Sequence, residues 1–161
     1  MRVAELLQLI SNEPTCEILL PSGVPKVEEG YALPVDLLEF YTACGGVSLF
    51  KGQIYSYRIL QPTEMILANP ILIGERAEYD ITASWYLLAS DQDNQYLTID
   101  CFPNRLGRCY DSYIDRHGIV GACPIIAASF TDLLERLLRT QGGYPYWMRD
   151  DFVSLGDAYD M

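Results

Sequence analysis

Asp91 to Asp100, "DQDNQYLTID", opens with spaced carboxylates and amides of the kind that cage a hard cation. A calcium loop of the EF-hand type needs a glycine at its sixth position for a sharp bend and a bidentate carboxylate at its twelfth. Counted from Asp91, those positions hold Tyr96 and Phe102, and both requirements fail. The segment also lies between two apolar runs, "SWYLLAS" and "YLTIDCF", which makes it a hairpin turn. Asp91, Asp93 and Asn94 suit such a turn, because their short polar side chains bond nearby backbone groups and tolerate left-handed conformations.

Nucleophilic catalysis would need a thiol or hydroxyl beside a base. Cys109 and His117 are the sequence-near candidates, with Asp111 or Asp115 to orient the imidazole. No signature surrounds either residue. A cysteine within a strand is ordinarily a core residue, and a histidine in "DRHG" ordinarily belongs to a turn. Cys16, Cys44, Cys101, Cys109 and Cys123 include no C-x-x-C pair, and His117 is the one histidine, so neither a disulfide framework nor a nitrogen- or sulfur-rich metal site is expected. Phosphate-cradling glycine loops are missing as well. No metal and no cofactor are expected.

The balance of 22 acidic against 11 basic side chains, a formal charge of −11, would repel a phosphate backbone and argues against direct nucleic-acid binding. The same field would steer a basic protein partner inward, although acidity also serves plain solubility. Half of the residues are hydrophobic, which argues against disorder. No apolar run is long enough to cross a bilayer, and "MRVAELLQLISNEP" places a glutamate among its leucines with no uninterrupted apolar core of a signal peptide. The expected location is the cytoplasm.

Around these residues the sequence sets out its elements. Val3, Leu6, Leu7 and Ile10 recur at helical spacing, and "CEILL" reads as a brief strand or extended arm. The clearest helix is "LPVDLLEFYTACGG", with Pro34 at its start, Leu37, Leu38, Tyr41 and Cys44 as its apolar face, and Gly45 as its stop. "VSLF" and "IYSYRIL" form a hairpin, "TEMILAN" a short helix, and "GRCYDSYI" a further strand. A last helix begins at Ser129, with Asp132 in capping-box-like spacing and Leu133, Leu134, Leu137 and Leu138 on one face. Four or five strands joined by short polar turns give a mainly antiparallel sheet in an α+β fold. No repeat, linker or low-complexity tract divides the chain, so residues 1–161 are expected to form one domain, with 144–161 as an aromatic and then acidic extension. Tyr144, Tyr146 and Trp147 in that extension either offer a binding surface or cover the core.

The ordered blocks "LPVDLLEFYTACGG", "WYLLASD" running into "YLTID", and "IIAASFTDLLERLL" resemble the SUKH superfamily of Smi/Knr-like proteins. Leu33, Pro34, Phe40, Tyr41, Gly45 and Gly46 carry the first block. Trp85, Ala89, Asp91 and Asp100 carry the second, and Ala127, Ser129, Phe130, Leu133 and Leu134 the third. The resemblance covers roughly residues 30–140 and implies a curved sheet against helices without a catalytic centre. It also implies a protein-binding role, in many bacterial relatives that of an immunity protein which neutralises a toxin, often a nuclease. On that basis the expected partner is a basic toxin domain. The expected contacts are the exposed acids Asp91, Asp93, Asp111, Asp115, Asp150, Asp151 and Asp157, with Tyr144 and Trp147 as apolar anchors. A regulatory or scaffold module binding an endogenous partner is the alternative reading, and a Cys109–His117 enzyme the third.

Overall fold

Residues 1–160 are described by the computed structural model. Short runs of β-branched and aromatic residues separated by polar turns give β1 (Glu17–Ile18), β2 (Val47–Leu49), β3 (Tyr57–Ile59), β4 (Trp85–Asp91), β5 (Tyr96–Asp100), β6 (Cys109–Ser112) and β7 (Ile125–Ala127). The strands pair in chain order and every neighbour is antiparallel. Local turns therefore set the register of β2–β3, β4–β5 and β5–β6. "PIIAASF" begins as β7, a strand that the helical pattern just beyond it masks.

Helices α1 (Val3–Ser11), α2 (Val35–Ala43) and α4 (Phe130–Thr140) pack on one face of this sheet. Their buried stripes, Leu6 and Ile10, Leu37 and Phe40, Leu133 and Leu137, meet Tyr86, Leu88, Leu97 and Ile99. Phe40 and Phe130, with ring centroids 4.8 Å apart, join α2 to α4. The α4 entry is closed in both directions: Ser129 Oγ accepts from Asp132 N at 3.1 Å, and Asp132 Oδ2 accepts from Ala128 N at 2.9 Å. Over β4 to β7 the opposite face is covered too, by α3 (Ala68–Leu72), the segment 113–124 and the tail near Ala158. Beneath that cover Trp85 stacks on Tyr110 at 3.8 Å.

Three local expectations are corrected. The apolar face of α2 is Leu37, Phe40, Tyr41 and Cys44, while Leu38 is exposed; the i, i+3, i+4, i+7 set wins because the sheet lies on one side of the helix only. In place of a helix at "TEMILAN" there is a 3-10 turn at Pro62–Glu64, and α3 starts later, where Pro70 falls within the first helical turn and needs no backbone partner. Gly45 does not carry the left-handed stop, for the positive φ of 128° belongs to Gly46. Gly45 instead allows a close approach: its amide donates to Leu19 O at 3.0 Å, and a β-carbon there would lie 2.2 Å from Leu20 O.

The tail runs along the outer side of β7. Tyr146 donates its hydroxyl to Ile126 O at 2.6 Å, Ile125 N donates to Gly156 O at 2.9 Å, and Pro124 bridges to Asp157. A strand edge that would otherwise offer free backbone groups to another chain is thereby occupied.

Gly45→Ala is expected to lower the folding free energy by about 2–3 kcal/mol, because the first added carbon already overlaps a backbone oxygen. Urea denaturation of the two proteins, compared at equal m-value, measures it.

Candidate functional site

Four segments meet at one end of the sheet: the β2–β3 loop, the β4–β5 turn, the loop after β6 and the start of the tail. Side chains tie them together. Gln92 Nε2 donates to Gln53 O, to Ile54 O at 3.3 Å and to Ser56 Oγ at 2.9 Å, which fixes the β2–β3 loop on the β4–β5 turn. Gln95 Oε1 accepts from Ile114 N at 2.9 Å, and the hydroxyls of Tyr57 and Tyr113 lie 2.6 Å apart, so the loop after β6 joins the same rim. Tyr55 meets Tyr144 edge to face at 5.5 Å, bringing in the tail.

Asp91 shapes the turn itself. Its Oδ1 accepts from Asp93 N at 2.8 Å and Gln95 N at 3.0 Å, and Asn94 takes a left-handed φ of 58°. That leaves Asp93 and Asp115 as the exposed carboxylates of the rim. Between and beside them stand apolar side chains in water: Ile54 at 82% exposure, Ile114 at 60% and Tyr144 at 46%. Such groups framed by charge have the composition of a docking surface, where desolvated aliphatic and aromatic anchors carry most of the binding energy.

Asp111 and Trp147 were expected at the surface, and the structure buries both. Alternation along β6 turns Asp111 inward. Its Oδ1 accepts from Tyr113 N at 3.0 Å, its Oδ2 accepts from Trp147 Nε1 at 2.9 Å, and Arg116 pairs with it from the rim side. Burial pushes the Asp111 carboxyl above its usual value, against the pull of the Tyr113 amide and Arg116. The Trp147 ring meets Tyr146, Tyr57 and Tyr113 edge on. The two residues support the rim from below.

The remaining acids lie elsewhere. Asp150 and Asp151 are exposed in the tail, Asp151 beside Arg149 at 3.4 Å. Asp157 is half buried and spends its carboxylate on Gly121 N at 3.1 Å and Cys123 N at 2.9 Å. Of the nine expected contact residues the fold thus gathers Asp91, Asp93, Asp115 and Tyr144 on one rim. The same rim holds Ile54, Ile114, Gln92 and Gln95, which no pattern in the sequence singles out. A lone isoleucine at the start of an apolar run looks like strand, and only the pairing register shows that Ile54 lies outside β3.

Cys109 and His117 do not form a dyad. Cys109 is buried on the helix side, its thiol near Gly107 O and Ser129 O, and burial drives its pKa well up. His117 lies on the other side of the sheet against Trp85, with Nδ1 3.0 Å from Ser112 Oγ and Nε2 2.7 Å from Asn69 Oδ1. Among the described residues no three of the His, Cys, Asp and Glu side chains form a metal-binding group.

The sequence profile of the SMI1 / KNR4 family (SUKH-1) matches residues 27–136. The chain is also 48% identical over 160 residues to a Bacillus subtilis (strain 168) protein named immunity protein YokJ, covering 99% of this chain and 97% of that one. No solved structure matches it. No helix among the described residues is long and apolar enough to cross a membrane.

His117 clips the loop bearing Ile114 and Asp115 to α3 through Asn69, and burial pulls its pKa down to about 4, with a smaller opposing pull from Asp80. The folded state binds this proton more weakly than the unfolded state, whose histidine titrates near 6.5. The stabilisation is therefore complete above pH ~6.5 and is lost as pH falls toward ~4. Between pH 7 and pH 4.5 the native protein is expected to lose roughly 2–3 kcal/mol more than His117→Gln, as read from urea midpoints at each pH.

Proposed function

The chain belongs to the SMI1 / KNR4 family (SUKH-1), and on that premise we propose that it is an immunity protein that binds and neutralises a toxin without chemistry of its own. The observation that carries this reading is the rim, where Asp93 and Asp115 flank Ile54, Ile114 and Tyr144 on segments locked together by Gln92 and Gln95. The relative from Bacillus subtilis that bears the name immunity protein supports it.

The partner is a basic toxin domain, for instance a nuclease, whose active face has to be positive to hold phosphates. The net charge of −11 raises the rate of encounter, and the apolar anchors slow dissociation. Binding takes place in the cytoplasm, where such a toxin would find its target. The chain would act by covering the toxin, so its needs are a rigid surface and a complementary field.

Co-expression with the toxin encoded next to its gene is expected to restore growth; equal toxicity with and without the protein would sink the proposal. Asp93→Lys combined with Asp115→Lys should slow association about tenfold at low ionic strength, with the gap closing as salt rises. Ile54→Ala or Ile114→Ala should instead speed dissociation by about tenfold, as interface anchors do. Surface plasmon resonance separates the two rates.

A further inference from the structure

The acidic rim ends at Tyr144, and a groove of opposite character begins there. It runs between the exposed side of α4 and the tail, has a volume of about 660 Å³, and is lined by Arg136, Arg139 and Arg149. A neighbouring groove of about 410 Å³ shares Leu155 with it and adds Arg105 and Arg108. Five of the chain's 11 basic side chains therefore line two adjoining grooves, where Asp151 is the one acid among the lining residues. In a chain with twice as many acids as bases, this is a local concentration of arginine, in which Arg105, Arg136, Arg139 and Arg149 each stand beside one carboxylate.

Arg105 is committed to buried Asp100 through Nε at 2.9 Å, and the other four guanidiniums can take a new partner. Arg139 and Arg149 have side chains 73% and 57% exposed, and their contacts with Glu135 and Asp151 are surface pairs of the weak kind. Arg136 uses Nε on Asp132 at 2.9 Å and lies over the Tyr146 ring at 5.5 Å. Its two terminal nitrogens carry no hydrogen bond among the described residues, and Arg108 makes no ion pair among them. A guanidinium held by Nε still presents a donor fork suited to a carboxylate. The floor between these charges is apolar: Phe152 packs on Tyr146, while Val153 stands 80% in water.

We infer that the paired grooves form a second docking subsite that takes an extended acidic segment of the partner protein, with glutamate or aspartate carboxylates on the arginines and an aromatic or aliphatic side chain on the floor. The inference rests on the immunity reading only for who the partner is. It means that the docking surface is bipolar, with the acidic rim on one side of Tyr144 and the arginine grooves on the other. A partner that presents only basic charge would satisfy half of it. Reading two signs in fixed order is a source of specificity that net charge cannot give.

The probe is a fluorescein-labelled peptide of glutamates interrupted by two tryptophans, titrated with the full chain and followed by fluorescence anisotropy. The peptide with glutamine for every glutamate serves as its control. The glutamate peptide is expected to bind at least about tenfold more tightly than the control, and Arg139→Glu combined with Arg149→Glu is expected to abolish that difference. Asp93→Lys with Asp115→Lys should leave it in place, since those residues belong to the rim. Circular dichroism verifies that both double variants are folded. Equal binding of the two peptides, or a preference that survives reversal of Arg139 and Arg149, would overturn the inference. No toxin enters the measurement, so its outcome is separate from that of the growth assay.

Discussion

A carboxylate without water must find donors inside the protein, and the one at Asp111 finds three of them on two distant pieces of chain. The Tyr113 amide and the Arg116 guanidinium come from the first turn of the loop after β6, and the Trp147 indole from the tail. Removing one partner of such a buried pair typically costs about 3–5 kcal/mol, whereas replacing the whole set by apolar groups can be neutral. The net stabilisation is therefore modest. What the cluster imposes is geometry: the loop and the tail satisfy one carboxylate only when each is in place, and the surface above them inherits that arrangement.

The sheet divides the labour in a similar way. Its helix side is an ordinary apolar core, and its other side is covered over β4 to β7 and only partly covered over β2 and β3, where Ser48 and Arg58 stand in one cross-strand row with Ser90 and Arg58 pairs with Glu64. Covering both sides of the later strands buries Thr98, Asp100 and Ser112, which then need partners. Ser112 meets Thr98 at 2.7 Å, and Asp100 meets Ser84 at 2.6 Å and Tyr110 at 2.9 Å. The loops that bring this second cover also bring Ile114 and Asp115 to the rim.

Much of this was legible in the residues themselves. Spacing placed α1, α2 and α4, and alternation with polar turns placed most of the strands, because these signals come from local burial. The hairpin turn at Asp91 was legible for the same reason. The roles of Asp111 and Trp147 were not: acids beside turns usually face water, and the bond that draws these two inward spans 36 positions. Phe40 over Leu38 was likewise hidden, since the sequence does not say on which side of α2 the sheet will lie. The rim itself came from convergence of four segments, something no one of them encodes.

Pairing in chain order has a consequence for how the molecule comes together. The β2–β3, β4–β5 and β5–β6 hairpins close short loops at small entropic cost, so this middle part of the sheet can form from local encounters, whereas β1–β2 and β3–β4 are joined across α2 and α3. The costly closures are those that join distant chain, α1 onto α4 and Trp147 onto Asp111. Trp147 reaches Asp111 across 36 positions, close to the separation at which Tyr57 of β3 pairs with Asp91 of β4, so the surface above the indole and the full sheet depend on closures of similar length. The shape of that surface then depends on the seating of one indole as much as on secondary structure.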